Sequence, residues 1–344
     1  MAAPWSPHHL RLHRQLLADP LLLPRGEGLL LAVSGGQDSI ALTALLQDLR
    51  RLHGWRLWLW HGDHRWRAES DRQASELAAW AETRQLPLSI DTWQQPIAAE
   101  AAAREWRYRC LAAAALRLGA SHVVTGHTAS DRAETALLNL ARGSHRRGLA
   151  SLGARRPLGR SDLLLVRPML VFTRDETAAI CRALELPVWQ DPSNADPRFS
   201  RNRIRREVMP VLQALHPGAE RRISALAERL AAEEQGQSEL LELALLPLRR
   251  PAPNRSAAPA GGGLDRRGLL RLQRANQGLL LQHWLRQATQ RPLSARQLEA
   301  LLARLPSLTG SCRQQLAGGW QLRWRHSTLW VQHDTSPICD DPIA

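Results

Sequence analysis

The chain contains no lysine. Arginine and lysine together occupy 46 of its 344 positions, and every one is arginine. This absence excludes the common nucleotide-binding loop, G-x-x-x-x-G-K-[ST], whose lysine reaches the distal phosphates. Cysteine is also scarce: Cys110, Cys181, Cys312 and Cys339 lie far apart, and no C-x-x-C occurs. A zinc knuckle and an iron–sulfur site are therefore not indicated. Cys110 and Cys181 sit in apolar helical contexts and are expected in the core. No uninterrupted apolar run approaches the ~20 residues needed to span a bilayer. The opening stretch, "MAAPWSPHHLRLHRQLLADPLLL", spreads His and Arg among its apolar residues and lacks the layout of a signal peptide. The expectation is a cytoplasmic protein without membrane contact. No internal repeat is present.

The formal charge is +14. Such an excess raises the local concentration of polyanions and speeds their capture. Arginine also suits phosphate forks and base stacking, so nucleic acid is a natural partner, against the plainer reading of a solvated basic surface. The length exceeds one typical core, which predicts two domains.

The chemistry starts at "LAVSGGQDSIALTALLQDLRR" (31–51). A short apolar strand runs into Ser34-Gly35-Gly36-Gln37-Asp38-Ser39, and apolar residues then recur at helical spacing. The first amides of a helix lack internal partners, the helix dipole makes that end positive, and glycines admit a ligand close to the backbone. Such a turn binds phosphate. An ordinary strand-to-helix turn with polar caps is the plainer alternative.

Strand and helix patterns then alternate. Strands are predicted at 56–64, 86–93, 121–127 and 162–168. Helices are predicted at 69–85, 97–119, 130–143 (capped by Ser130) and 173–186. The alternation predicts an α/β fold, a parallel sheet with helices on both faces, with ligands at the carboxyl ends of the strands. From about residue 204 the pattern becomes helical. Residues 249–263 read as a Pro/Ala/Gly-rich linker, and a small, mainly helical module follows. It ends in a predicted hairpin over 318–334, where Trp320, Trp324 and Trp330 alternate with arginine. The expected boundaries are 1–215, a connector over 216–263, and 264–344 as a small helical module expected to contact nucleic acid.

Four further clusters carry functional groups. "HGDHRWR" (61–67) ends the second strand with His61 and Arg67; a metal site there is weakly supported by its H-x-x-H spacing. "EAAAREWRY" (100–108) places Arg104 and Arg107 on one helix, where Glu100–Arg104 reads by default as a surface ion pair. "TGHTASDRAET" (125–135) sets Asp131 and Glu134 on the first turn of a helix, where acids also serve as caps. "WQDPSNADPRFSRNRIRREVMP" (189–210) holds Asn194, Arg201, Asn202 and Arg205, a turn followed by a basic helix able to touch phosphate.

The S-G-G-x-D-S loop resembles that of the N-type ATP pyrophosphatases, which split ATP between its α and β phosphates and adenylate a substrate. The remaining clusters resemble the tRNA(Ile)-lysidine synthetases over roughly residues 27 to 215: H-x-x-H-x-x-R, E-x-x-A-R-x-x-R-Y, G-H-x-x-D-D-x-x-E-T, and D-x-S-N followed by R-N-x-x-R. This chain departs from those patterns at Trp66, Thr128, Ser130 and His145. The resemblance implies ATP-dependent adenylation of the wobble cytidine of tRNA(Ile) with a CAU anticodon, then attack by free L-lysine. It implies ATP contacts at Ser34 through Ser39 and His61, with Mg²⁺ on Asp38. It implies catalytic roles for Asp38, Arg67, Asp131 and Glu134. Asp131 and Glu134 would grip lysine, with Mg²⁺ coordination the rival role for Asp131. Arg104, Arg107, Asn194, Arg201, Asn202 and Arg205 would contact tRNA. A homodimer is compatible with this reading. A cysteine-using thiolase relative, an amidotransferase-type synthetase and a nucleic-acid-binding scaffold are the competing readings.

Overall fold

The computed structural model describes residues 5–63, 70–93, 100–159, 162–189, 198–251, 262–291, 293–307 and 312–333. The chain divides into two units, residues 1–232 and 233–344. The division falls inside one long helix, downstream of the expected boundary at 215.

The first unit contains, in order, α1 (Pro7–Ala18), β1 (Gly28–Ala32), α2 (Gln37–His53), β2 (Arg56–Asp63), α3 (Ser70–Thr83), β3 (Leu88–Thr92), α4 (Glu100–Leu118), β4 (His122–Thr125), α5 (Ala129–Ala141), α6 (Arg146–Leu149), β5 (Arg155–Pro157), β6 (Leu164–Val166), α7 (Arg174–Ala183), α8 (Ser200–Arg203) and α9 (Met209–Leu215). The long α10 (Ala219–Leu245) begins in it. The sheet order is β3-β2-β1-β4-β6-β5. All neighbours run parallel except β5, which pairs antiparallel with β6. The five expected strands are present. The short edge strand β5 was not anticipated, because Arg155-Arg156-Pro157 carries no apolar alternation to announce it.

The sheet is central because its strands are apolar on both faces. Leu29 and Leu31 pack with Ile40, Leu42, Leu45 and Leu49 of α2 on one side, while Leu30 joins Leu111, Val123 and Leu165 on the other. Buried on both faces, β1 reads as a continuous Leu run rather than an alternation. This arrangement sends the carboxyl ends of β1, β2 and β4 to one edge, where their polar loops meet. A glycine is required there: a Cβ on Gly126 would lie 2.9 Å from the carbonyl carbon and oxygen of Asp38. Only glycine lets the loop after β4 rest on the first turn of α2.

The second unit contains the end of α10, then β7 (Arg249–Arg250), β8 (Gly263–Asp265), α11 (Arg266–Leu270), α12 (Arg274–Thr289), α13 (Ala295–Arg304), β9 (Cys312–Gln315), β10 (Trp320–Arg325) and β11 (Thr328–His333). The expected hairpin is β10–β11, and it lies within a five-stranded antiparallel sheet ordered β7-β8-β11-β10-β9. The unit therefore has more strand than its composition suggested. Strands of two to four residues leave too short a period to recognise. The hairpin tryptophans are not an exposed ladder. Leu322 and Trp324 share one face and are buried with Trp284 of α12, so Trp324 serves the core.

Cys181 is buried and Cys110 half-buried; both are free thiols. Burial pushes the Cys181 thiol up to about 11, which leaves it protonated and unreactive at neutral pH.

Candidate active site

The loop after β1 is held by its own hydroxyls. The Ser39 hydroxyl donates to the Gly36 carbonyl at 2.9 Å and accepts from the Ser34 amide at 3.2 Å. Ser39 is thus turned inward, while Ser34 is exposed. Gly35 adopts φ +83°, a conformation that favours glycine, with Trp189 packed against it on the side where a Cβ would stand. Gly36 is the N-cap of α2, and no side chain caps that helix. Among the described residues, the amides of Gln37 and Asp38 find no acceptor. These donors, at the positive end of a 17-residue helix, make a ready anion site. The Gln37 side chain turns away and donates to the Arg174 carbonyl at 2.7 Å.

His61 lies two residues before the end of β2, beside this loop. Its Nδ1 donates to the Val33 carbonyl at 2.8 Å, which leaves Nε2 as the acceptor. Burial lowers its pKa, with the Val33 bond and Asp63 working against that effect. The ring is therefore neutral.

Next to the loop lies a balanced ion cluster. Asp131 occupies the third position of α5 and forms a capping box with Thr128: its Oδ2 accepts from the Thr128 amide at 2.8 Å. The cap is thus Thr128 rather than Ser130. Ser130 instead accepts from the Arg174 amide at 2.8 Å, which ties α5 to α7. Asp131 Oδ1 receives Arg174 Nη2 at 2.8 Å and Arg201 Nη2 at 2.9 Å. Glu134, 2% exposed, accepts from Arg174 at 3.1 Å, from Arg201 at 2.9 Å, and from Arg205 at 2.7 and 3.0 Å. Asp38 completes the set, with Arg174 Nε 3.4 Å away and the Thr177 hydroxyl bonded to its other oxygen. Three carboxylates thus face three guanidinium groups.

The electrostatics follow from this packing. Burial lifts the Asp38 carboxyl above its ordinary range; Arg174 opposes the rise and Asp131 adds to it. Burial would also raise Asp131, but Arg174 and Arg201, helped by His127 and the Thr128 amide, hold it well below the usual carboxylate range. Arg174 keeps its proton more firmly than an ordinary arginine: burial works against the charge, and Asp131, Asp38 and Glu134 outweigh it.

His127, one residue before the cap, is pushed down to about 4, chiefly by burial, with Asp131 pulling upward and Arg167, Arg201 and Arg104 pushing further down. The unfolded chain titrates near 6.5. Between those values the unfolded chain binds the extra proton, so stability is complete above the upper value and declines as pH falls toward the lower one. His127→Gln should remove that decline, worth on the order of 3 kcal/mol at most. Urea unfolding of both proteins above and within the window measures it. Parallel stability curves would show that His127 does not titrate this way.

The structure brings together Ser34 through Ser39, His61, Asp131, Glu134, Arg201 and Arg205. Asn202 is buried, at 7% exposure. Arg104 and Arg107 are exposed on α4. Arg67 and Asn194 fall outside the described residues. The sequence reading missed Arg174 and Thr177. Their segment, T-R-D-E-T, reads as a helix start with a Thr173–Glu176 capping box, and the structure contains that box. Nothing local signals that Arg174 is the counter-ion of three distant acids. Among the described residues no group of three or more His, Cys, Asp or Glu side chains gathers as a metal site. No described helix is long and apolar enough to cross a membrane.

A parallel sheet, an open S-G-G-x-D-S loop at the end of its first strand, and acids at the end of its fourth define a nucleotide-using PP-loop domain. The family model described as a PP-loop domain matches residues 8–212, and the domain uses ATP. The whole chain is also similar to named enzymes. It is 50% identical over 338 residues to the tRNA(Ile)-lysidine synthase of Parasynechococcus marenigrum (strain WH8102), covering 96% of each chain. It is 44% identical over 329 residues to that of Synechococcus sp. (strain ATCC 27144 / PCC 6301 / SAUG 1402/1), covering 92% of this chain and 96% of the relative. The chain belongs to the tRNA(Ile)-lysidine synthase family. Among solved structures, U34-tRNA thiolase NcsA from Methanococcus maripaludis matches with a TM-score of 0.56 at 17% identity, over 65% of this chain and 78% of that one, which shows a shared fold.

Proposed function

We infer that this chain is an ATP-dependent ligase that converts the wobble cytidine of tRNA(Ile) with a CAU anticodon into lysidine. Family membership over nearly the full length carries this reading, and the open amides of Gln37 and Asp38 support it chemically. The cytidine C2 oxygen attacks the α-phosphorus of ATP, and pyrophosphate leaves. The ε-amine of free L-lysine, having lost a proton, then attacks C2, and the C2–oxygen bond breaks to release AMP. The reaction takes place in the cytoplasm, and the reading admits a homodimer.

The loop amides, with the exposed Ser34 hydroxyl, bind the ATP phosphates, and Ser39 shapes the loop from within. Gly35 and Gly36 admit the phosphates. His61, neutral, stands at the adenosine side. Mg²⁺ fits Asp38: magnesium is usually held by one or two carboxylates together with substrate phosphates, and Asp38 offers one carboxylate on the first turn of α2. When bound, the ion offsets the charge on the phosphates. Lysine is held through its ammonium by Asp131 and Glu134. Arg201 and Arg205 have two successive partners in this reading. Without RNA they pair with those acids; when tRNA arrives they turn to its phosphates and free the acids for lysine. Their side chains are 38% and 25% exposed, so both can swing outward. Arg104, Arg107, Asn194 and Asn202 remain assigned to the tRNA side, Asn202 from a buried, supporting position, and Arg67 keeps its catalytic role near the substrate base.

Pyrophosphate release measured across tRNA species tests the reading. Release should require ATP and the CAU-anticodon tRNA(Ile) but not lysine, and labelled lysine should then enter that tRNA. Absence of release with every tRNA would favour a binding scaffold.

A further inference from the structure

A second group of arginines lies beside the ion cluster, and among the described side chains no acid pairs with it. Arg104 and Tyr108 stand one turn apart on α4, and the Arg104 guanidinium sits 5.7 Å from the Tyr108 ring centre. Arg156, from the edge strand β5, approaches the same ring to 4.7 Å. Arg167 follows β6 directly; it hydrogen-bonds Tyr108 and feels the charges of Arg156 and Arg104. Among the side chains the structure describes, which do not include that of Glu100, no Asp or Glu forms an ion pair with any of the three arginines.

Arg167 is the most telling member. It is 2% exposed, and its Nη1 donates to the Gly153 carbonyl at 2.6 Å. Its Nε is buried and has no hydrogen-bond partner among the described residues. A buried donor without an acceptor is costly, and a buried cation among like charges is costlier. The strain is visible in its proton affinity. Burial first, then Arg156 and Arg104, bring the guanidinium down to about 10 even though Tyr108 pulls the other way. An anion held by the more accessible Arg104 and Arg156 would offset the repulsion on the buried Arg167 guanidinium. The forked donors of arginine match phosphate oxygens.

We propose that Arg104, Arg156 and Arg167, gathered on Tyr108, form a subsite for a phosphodiester of the RNA strand next to the nucleotide being modified. This rests on the tRNA reading above and adds Arg156, Arg167 and Tyr108 to it. The position favours a strand over a free ion. Exposure grades from open Arg104 through half-buried Arg156 to buried Arg167. Arg104 and Arg167 also act on His127, the neighbour of the ion cluster. A phosphate held here therefore lies beside the reacting centre and remains connected to the surface.

The protein carries its own reporter, since Tyr108 is its only tyrosine. Burial would raise the Tyr108 pKa, but Arg104, Arg156 and Arg167 lower it overall. An anion that screens them should move the tyrosinate absorbance titration upward. An anticodon stem–loop with a CAU anticodon should raise the midpoint by about one pH unit, and pyrophosphate at equal concentration should leave it in place. Arg156→Gln should weaken stem–loop binding about tenfold and reduce the log–log salt slope by about one; ATP affinity and Tm serve as folding controls. Stem–loop binding that leaves Tyr108 unmoved, with an unchanged salt slope in Arg156→Gln, would overturn the subsite while the tRNA reading stands. A midpoint moved by pyrophosphate and not by RNA would overturn the RNA assignment. Failure of the wild-type chain to bind any tRNA would overturn the functional reading itself, and the subsite with it.

Discussion

Gly36→Val should abolish ATP-dependent pyrophosphate release while costing only about 1 kcal/mol of stability. Gly36 has negative φ, −71°, so its backbone accepts a side chain. A Cβ there would meet nothing closer than the Ser34 hydroxyl at 3.5 Å. An added Cβ therefore meets no clash, although valine is a poorer N-cap than glycine by about 1 kcal/mol. The substitution places a branched side chain at the N-cap, over the amides of Gln37 and Asp38. Hydrogen bonds to a charged group contribute about 1.5–3 kcal/mol each, so losing two implies an ATP affinity at least about 100-fold weaker. Gly35 makes the contrasting case. Its φ is +83°, and an added Cβ would stand 3.1 Å from the Gln73 side chain and 3.3 Å from the Trp189 ring. Gly35→Val should lose ATP binding and stability together. Calorimetric ATP titration beside thermal unfolding separates the two positions. Normal ATP affinity in Gly36→Val would remove the phosphates from this loop.

The parallel sheet and its loop were legible in the sequence because their causes are local. A Leu run buried on both faces marks β1, and a Ser/Gly/Asp turn before helical spacing marks the anion site. Asp131 and Glu134 were legible as an acidic pair on a first turn. Their partners were not. Arg201 and Arg205 read as a basic helix facing phosphate, and nothing in their segment shows that they also reach acids about seventy positions earlier in the chain. Arg174 was hidden by a sound local pattern. Its flanking residues, Thr173 and Glu176, cap α7, so the arginine between them reads as a solvated first-turn residue. Its role exists only because α2, α5 and α7 converge, and Gly126 permits part of that convergence. The edge strand β5 and the short strands of the second unit were missed for another reason: two to four residues cannot display a period.

Glu134→Gln should raise the lysine KM about 100-fold while ATP- and tRNA-dependent adenylation continues, because one charge-assisted contact to an ammonium is worth about 2–3 kcal/mol. The same substitution has a structural cost. It leaves Arg201, Arg205 and Arg174 facing one another with one carboxylate fewer. Breaking a fully buried ion pair costs about 3–5 kcal/mol, and partial exposure of these arginines reduces that to about 2–3 kcal/mol, or a Tm lower by roughly 5–10 °C. The two effects can be separated. Arg205→Met added to Glu134→Gln restores the charge balance and should recover much of the Tm. The lysine KM, measured at saturating tRNA, should stay high in the double variant if Glu134 binds the ammonium. Recovery of KM along with Tm would make Glu134 a purely structural anchor for the arginines. Asp131→Asn separates the remaining alternatives. If Asp131 grips lysine, adenylation continues and the lysine KM rises. If Asp131 serves Mg²⁺ instead, adenylation itself fails and additional Mg²⁺ partly restores it. Wild-type kinetics for both steps in both single variants would return the pair to helix capping and charge balance.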